Sequence, residues 1–374
     1  MVITALFLKD FRNYSQASIS FDTERNIIVG DNAQGKTNLL EAIHVLCVSR
    51  SQRNHRDAYL IRDGASFFRV EGCFRDSSHR AMRVCVSSSL QEGKSIRING
   101  QEVGKATDLM ARIGAVSFSS QEGRLTLGPP HSRRRFLDFL LLQTSSDYNR
   151  DSMEYRRVIA HRNRLLKTER GTSFSEELEI WEKELARVGV QIMRKRARLV
   201  SGIQQRADRY YERVSGVKER FLVSYRPAFL TAEEEAWEEL LLNRLKRTRA
   251  TDRRLGYTTS GPHRDDVQMS IDGKDLRLFG SMGQHRTAVV ALKLAEADVV
   301  AERKRHPPIL LFDDVFTELD GNRTDRLLDC LKGKGQLFMT ACTNGCLALS
   351  DDNYKTLRCE KGAVRSIDET YVDA

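Results

Sequence analysis

Gly30-Asp31-Asn32-Ala33-Gln34-Gly35-Lys36-Thr37 decides how this chain is read. The octet fits G-x-x-x-x-G-K-[ST] at every fixed position, and average residue usage produces such a match in only about one chain in a hundred of this length. Its flanks fit too. Ile27-Ile28-Val29 is a short apolar run suited to a buried strand, and Leu39, Leu40, Ile43, Leu46 and Cys47 fall on one helical face. Strand, glycine loop and helix N-terminus in that order make a phosphate cradle, because the glycines let backbone N–H groups approach the anion closely. In such a cradle Gly30, Asp31, Asn32, Ala33, Gln34, Gly35 and Asn38 would surround the phosphates of a nucleotide. Lys36 reaches the β- and γ-phosphates, and Thr37 is a ligand for Mg2+. An ordinary glycine-rich β–α turn is the competing explanation, and it does not require Lys-Thr at its end.

A second stretch, Ile309-Leu310-Leu311-Phe312-Asp313-Asp314, places two carboxylates at the end of a continuous apolar run. Such runs are buried parallel strands, and ligands bind at their C-terminal ends in open α/β sheets. Asp313 is expected to anchor Mg2+ beside Thr37, and Asp314 to orient or deprotonate the attacking water. Alone, the run is explained equally well by an aspartate cap or turn. A third stretch, Leu278-Phe279-Gly280-Ser281-Met282-Gly283-Gln284, leads into a helix. Ser281, Gly283 and Gln284 would expose a second anion-binding helix end, although a serine N-cap accounts for the same residues. Glu318-Leu319-Asp320 follows the second stretch closely, in a loop able to touch a neighbouring subunit.

The chain has 374 residues and a formal net charge of +10, with 30% charged residues. That excess suits a polyanion, and an anionic membrane surface has the same sign. No run approaches the 18 apolar residues of a membrane span. The seven cysteines form no C-x-x-C pair, and Cys342 and Cys346 lack partners for a zinc site. Reduced thiols in a cytoplasmic protein are expected.

Alternation at Ile3, Ala5 and Phe7, at Ala17, Ile19 and Phe21, and at Met82, Val84 and Val86 predicts strands, with a hairpin turn at Asn99-Gly100. Between 131 and 214 the pattern turns helical. Leu178, Leu185, Ile192 and Leu199 recur every seven residues, joined by Trp181 and Val188, and the pattern decays at Lys195. A short heptad helix within a helical hairpin is expected. Helices are also expected over 233–249, 284–302 and 322–331, and strands near Val267, Met269 and Ile271 and over 337–340. The division read from these patterns is an N-terminal ATPase part over 1–118, a mainly helical insertion over 119–257, and a second ATPase part over 258–374.

Arg194, Lys195, Arg196 and Arg198 crowd one part of the heptad helix, and Arg133 to Arg135 and the run Arg244, Lys246, Arg247, Arg249, Arg253, Arg254 add further charge. For any single arginine, a solvated helix face balanced by Glu176, Glu177, Glu179, Glu182 and Glu184 is sufficient explanation. The overall excess favours DNA phosphates, and the absence of a base-reading motif predicts sequence-independent binding. The 194–198 group is the first candidate. His263 and Arg264 suit a structural turn after Gly261-Pro262 as well as a ligand contact.

Taken together, the phosphate loop, the S-x-G-Q signature at Ser281, the Asp313-Asp314 strand and the Leu319-Asp320 loop resemble an ABC-type ATPase head of the SMC-like branch, an α/β fold with a helical insertion lobe. More closely, the chain resembles the bacterial RecF family over nearly its whole length. The match is carried by Phe11-Arg12-Asn13-Tyr14, Asn32 to Ala42, Gly128-Pro129-Pro130, Arg133 to Asp138, Arg162 to Lys167, Gly261 to Asp266, Ser281 to Gln284 and Leu311 to Val315. The resemblance implies an ATP-dependent homodimer in which Ser281 contacts the γ-phosphate held by the other subunit, with Asp320 near the seam. It implies a recombination mediator that closes on double-stranded DNA near gaps or junctions (gapped DNA), works with RecR and RecO, and assists RecA loading. Two departures matter. Asp314 is one methylene shorter than the glutamate usual in the superfamily, which predicts slow turnover. Ser119 to Arg124 replaces the family's Pro-Glu-Asp-Leu-like stretch, leaving Gln121 as a candidate lid glutamine. Thr340 stands where transporter-type ATPases carry histidine. That substitution and the helical insertion argue against a membrane-transporter subunit, and intact Lys36, Thr37, Asp313 and Ser281 argue against a non-catalytic DNA scaffold.

Overall fold

The computed structural model describes residues 1–53, 56–168, 173–227, 234–342 and 354–367. The side chains of residues 120, 121, 168, 173, 174, 317 and 318 lie outside that description, so Gln121 and Glu318 are not placed, and neither is Cys346. The chain divides into two compact units. One comprises Met1–Glu122, Arg213–Gly216 and Lys293–Ala374, and the other Gly123–Glu212 and Val217–Leu292. The sequence division put 258–292 with the ATPase part. By its contacts that segment, Ser281 included, groups with the helical unit.

The first unit begins with β1 (Val2–Phe11), β2 (Tyr14–Ser20), β3 (Arg25–Val29) and α1 (Lys36–Val48). It continues through β4 (Phe67–Arg75), β5 (Ala81–Ser89), β6 (Gly93–Ile98), β7 (Gln101–Glu102), α2 (Ala106–Arg112) and β8 (Ala115–Ser119). An antiparallel sheet runs in the order β2-β1-β4-β5-β6-β7. The alternation expected at Ile3, Ala5 and Phe7 holds only for Ile3. A register shift against β4 between Ile3 and Ala5 inserts one residue and flips the strand's phase. Leu6 and Leu8 therefore face the core, while Phe7 is 41% exposed.

In the second unit come α3 (Arg124–Leu127), α4 (Pro130–Thr144), α5 (Tyr148–Thr168), α6 (Ser173–Ser215), β9 (Phe221–Arg226) and α7 (Trp237–Leu255). Then follow β10 (Asp266–Ile271), β11 (Lys274–Asp275), α8 (Leu276–Phe279) and α9 (Met282–Lys304), the last of which runs on into the first unit. Leu178, Leu185, Val188, Ile192 and Leu199 are all buried, as the heptads require. The helix does not stop near Lys195, however. It continues for 43 residues to Ser215, because the basic residues that broke the apolar pattern pair inward. Arg162 of α5, fully buried, binds Glu182 at 3.0 Å and Asp252 at 2.7 Å. Removing either partner would leave a buried charge uncompensated.

The chain re-enters the first unit as β12 (Ile309–Asp313), α10 (Gly321–Leu331), β13 (Leu337–Ala341), β14 (Lys355–Glu360) and β15 (Ala363–Ile367). They complete a second sheet ordered β15-β14-β3-β13-β12-β8, parallel throughout except for β15. α1 packs on strands of both sheets. Buried from two sides, it sequesters Ala42, Val45 and Val48 as well as the expected face of Leu39, Leu40, Ile43, Leu46 and Cys47. Full burial of each large apolar side chain is worth about 1.5–3 kcal/mol, which fixes the helix N-terminus against the strand ends.

A candidate nucleotide site at the ends of the parallel strands

The loop from Gly30 to Gly35 joins the C-terminal end of β3 to the first turn of α1. Two of its glycines are required by geometry. Gly30 adopts φ 154°, and a Cβ there would lie 2.3 Å from the Cys359 carbonyl oxygen; Gly35 adopts φ 114°, and its Cβ would lie 2.6 Å from Asn13 Nδ2. The loop is held from outside as well. The Tyr14 hydroxyl donates to Gly35 O at 3.0 Å, Asn13 Nδ2 donates to Gln34 O at 3.2 Å, and the Lys361 N–H donates to Gln34 Oε1 at 2.6 Å. On the helix, Arg12 grips buried Glu41 through two bonds of 2.8 Å.

The N-terminus of α1 has no side-chain cap and no acid in its first turn. By contrast, α8 is capped by Asp275 and α10 by Asp320. The first N–H groups of α1, with the positive end of the helix dipole, are left directed at the loop's hollow. Lys36 is buried and its ammonium donates to the Gly30 and Asp31 carbonyls at 2.7 and 3.0 Å. Asn38 Nδ2 donates to Asn13 Oδ1 at 2.8 Å, and Cys342 Sγ donates to Asn32 Oδ1 at 3.5 Å.

Beside the loop, the parallel sheet brings Asp313 to the end of β12. The Thr37 hydroxyl donates to Asp313 Oδ1 at 2.9 Å. Thr340, at the end of β13 between β3 and β12, shares its hydroxyl proton between Asp313 Oδ1 at 3.1 Å and Asp314 Oδ1 at 3.2 Å, while accepting the Asp314 N–H at 2.9 Å. Burial raises the Asp313 pKa above the usual carboxylate value, opposed by the Thr37 bond. Asp314 sits in the left-handed region at φ 54° and does not cap the turn that follows, so the capping explanation for its side chain does not hold. The residue that replaces the transporter histidine is thus a hydroxyl that fixes both carboxylates.

The site's chemistry fits a nucleotide triphosphate with Mg2+. A cradle that any Cβ would fill, an uncapped helix end and a buried ammonium suit phosphate oxygens, and a hydroxyl with adjacent carboxylates suits a hard divalent cation.

The signature residues lie in the other unit. Ser281 Oγ accepts the Gln284 N–H at 3.2 Å, and Gln284 Oε1 accepts the Ser281 N–H at 2.9 Å. This reciprocal pair caps α9. Because the Ser281 hydroxyl accepts in that pair, its own proton remains available to donate. Gly283 follows within the first turn, and Leu278, Phe279 and Met282 around it are exposed. Asp320 accepts the Arg323 N–H at 2.9 Å as the cap of α10, a structural role the sequence reading did not assign.

Most of the 194–198 group is committed elsewhere. Arg196 is buried, donating to Asp138 at 2.6 and 2.9 Å and to Pro262 O at 2.6 Å. Lys195 pairs with Asp151 at 2.5 Å, and Arg194 donates to Glu234 O at 2.8 Å. Arg198 is the exposed member, 4.0 Å from Glu234. Of this first candidate group for DNA, Arg198 alone is left exposed, and Arg194, Lys195 and Arg196 fasten α6 to its neighbours. The same holds for Arg133, bound bidentately to Asp266 at 2.7 and 2.9 Å, and for His263, which meets Tyr155 at 2.6 Å and whose pKa burial lowers to about 4. Asn13, Tyr14, Thr340, Cys359 and Lys361 were not assigned roles from sequence. Their contacts, to the loop or, for Thr340, to the carboxylate pair, cross long sequence separations and leave no local signature.

A phosphate loop on a parallel strand, a carboxylate pair two strands away and a capped signature helix define an ATPase head of the class covered by the RecF/RecN/SMC N-terminal domain, whose family model matches residues 2–365. The RecF protein of Synechococcus sp. (strain JA-3-3Ab), described as a DNA replication and repair protein, is 37% identical over 91% of both chains. That of Agathobacter rectalis is 33% identical over 99% of this chain and 100% of its own. The chain belongs to the RecF family. Among solved structures, the recombination mediator RecF with ATP, from the RecFOR pathway, superposes with a TM-score of 0.89 at 29% identity, covering 98% of each chain. An Smc head bound to the C-terminal winged-helix domain of ScpA shares the fold at a TM-score of 0.58 and 15% identity, over 99% of this chain and 98% of its own. Among the described residues, no helix is long and apolar enough to cross a membrane.

Proposed function

We propose that the chain is an ATP-dependent recombination mediator that binds DNA as a nucleotide-closed homodimer and is reset by slow hydrolysis. The observation that carries this reading is the Thr37–Asp313–Thr340–Asp314 cluster beneath the uncapped end of α1. Lys36 and the N–H groups from Gly35 to Asn38 hold the β- and γ-phosphates of ATP, while Thr37 and Asp313 hold Mg2+. Bound there, the ion neutralises charge on the phosphate oxygens. Asp314, kept in place by Thr340, accepts a proton from the attacking water. Ser281 of a second copy donates its free hydroxyl proton to the γ-phosphate, so that residues of both units complete each site across the dimer. The short carboxylate at 314 reaches less far than a glutamate, which favours a switch over a motor.

The names of its relatives, a DNA replication and repair protein and a recombination mediator of the RecFOR pathway, support a role in DNA replication and repair; the partners in this reading are double-stranded and gapped DNA with RecR, RecO and RecA. The test is ATP turnover by the purified protein with and without duplex DNA. Slow turnover that duplex stimulates supports the reading. Turnover that Lys36→Met leaves unchanged contradicts it.

A further inference from the structure

We infer that the outward face of α7 is a docking surface for the phosphate backbone of duplex DNA, an inference that rests on the DNA-binding reading above. α7 lies antiparallel along α6. A Cβ on Gly189 would meet Leu241 at 3.0 Å, Arg249 reaches Glu182 at 2.6 Å, and Arg194 reaches the Glu234 carbonyl at 2.8 Å. These contacts turn Trp237, Leu241, Leu245 and Asp252 inward. Helical periodicity then sets Arg244, Arg247, Thr251 and Arg254, spaced by three, four and three residues, in one exposed stripe along the flank of the helix.

All four are exposed, and their neighbours Asn243 and Ala250 are short. A broad, rigid ligand can approach such a face closely. Among the described residues the three guanidiniums carry no hydrogen bond or ion pair, unlike Lys246 on Glu179 and Arg249 on Glu182. The acids of α7 are elsewhere: Glu238 and Glu239 occupy the first turn, and Asp252 faces Arg162.

Solvation at a helix C-terminus explains a cation in the last turn, where the dipole attracts it. It accounts for Arg254 but not for Arg244 and Arg247, which lie about two to three turns earlier. From Arg244 to Arg254 the axis runs about 15 Å, a length of duplex bearing about nine phosphate charges. Beyond the helix end the cationic band continues. Gly256 turns in the left-handed conformation against the Lys167 side chain, with its ideal Cβ 3.3 Å away, and Arg264 lies 5.2 Å from the ring centroid of exposed Tyr257. Guanidiniums in a row with no base-reading geometry bind backbone and position it, without selecting sequence.

The experiment measures binding of a mixed-sequence blunt duplex to the full chain with Mg2+ and a non-hydrolysable ATP analogue, between about 50 and about 200 mM salt. The variant Arg244→Gln/Arg247→Gln/Arg254→Gln is compared with Arg244→Lys/Arg247→Lys/Arg254→Lys. Loss of three phosphate contacts lowers the log–log salt slope by about 2.7. Across that salt range the parent then loses about 40-fold more affinity than the glutamine variant. The lysine variant keeps the parental slope, and turnover without DNA is unchanged in both. If the parent binds duplex and the glutamine variant shows the same slope, or the lysine variant loses as much as the glutamine one, this surface is wrong and the DNA reading survives. If the parent itself does not bind duplex, the DNA reading falls and takes the surface with it.

Discussion

The Thr37 hydroxyl donates to Asp313 Oδ1 across 2.9 Å, although the two residues stand 276 positions apart. That bond ties the phosphate loop to the carboxylate strand on the far side of β13, and it joins the pair between which a divalent cation would sit.

Lys36→Met is expected to weaken ATP binding without unfolding the chain. The ammonium is the loop's one buried cation, and a charge-assisted hydrogen bond is worth about 1.5–3 kcal/mol. Affinity should drop by about tenfold to about a hundredfold, read by calorimetric titration. Parental affinity in this variant would show that Lys36 does not reach the phosphates.

Asp314→Asn should separate binding from cleavage. The amide keeps the shape and can still meet Thr340, but it cannot accept a proton. Turnover is expected to fall by about a hundredfold or more with ATP affinity within a few-fold of the parent. Native turnover would assign the base to another group.

Ser281→Arg tests the contact in trans. The bulky cation should block closure while the chain's own loop still binds ATP normally. Mixed with Lys36→Ala subunits, it forms heterodimers with one native composite site, and some ATP-dependent pairing should return. Loss of ATP binding by Ser281→Arg alone would mean that Ser281 acts within its own subunit or only caps α9.

Acid should destabilise the fold between about pH 6.5 and about pH 4. Burial lowers the His44 pKa from 6.5 to about 4, so the unfolded chain takes up its proton first. The stabilisation is complete above the unfolded value and is lost as pH falls through that window, to a limit of about 3 kcal/mol. Urea unfolding at pH 7 and pH 5 should show a shallower pH dependence in His44→Gln than in the parent, with the remainder shared by His263. An identical dependence would remove His44 from the account.

The phosphate loop was legible because its chemistry is local: eight consecutive residues carry it, and the apolar runs on either side fix its strand and helix. Asp313 was legible for the same reason. Tyr14 and Cys359 were not, since Cys359 reaches Gly30 only once β14 lies beside β3, and Tyr14 reaches Gly35 from β2, a strand of the other sheet. The phase of β1 was hidden by a bulge that no residue type announces. The length of α6 was hidden by the charges at 194–198. Basic residues that look solvent-facing in a heptad plot turn out to bind Asp138, Asp151 and the Glu234 carbonyl, and a charge that pairs inward has the same sequence signature as one that meets DNA.

The central claim is that ATP closes two copies of this chain on each other. Sedimentation equilibrium with Mg2+ and ATP, with Mg2+ and ADP, and without nucleotide measures it most directly. The account predicts a doubled mass with ATP alone, abolished by Lys36→Met. A mass that stays monomeric at saturating ATP, or that is doubled whatever the nucleotide, would contradict it.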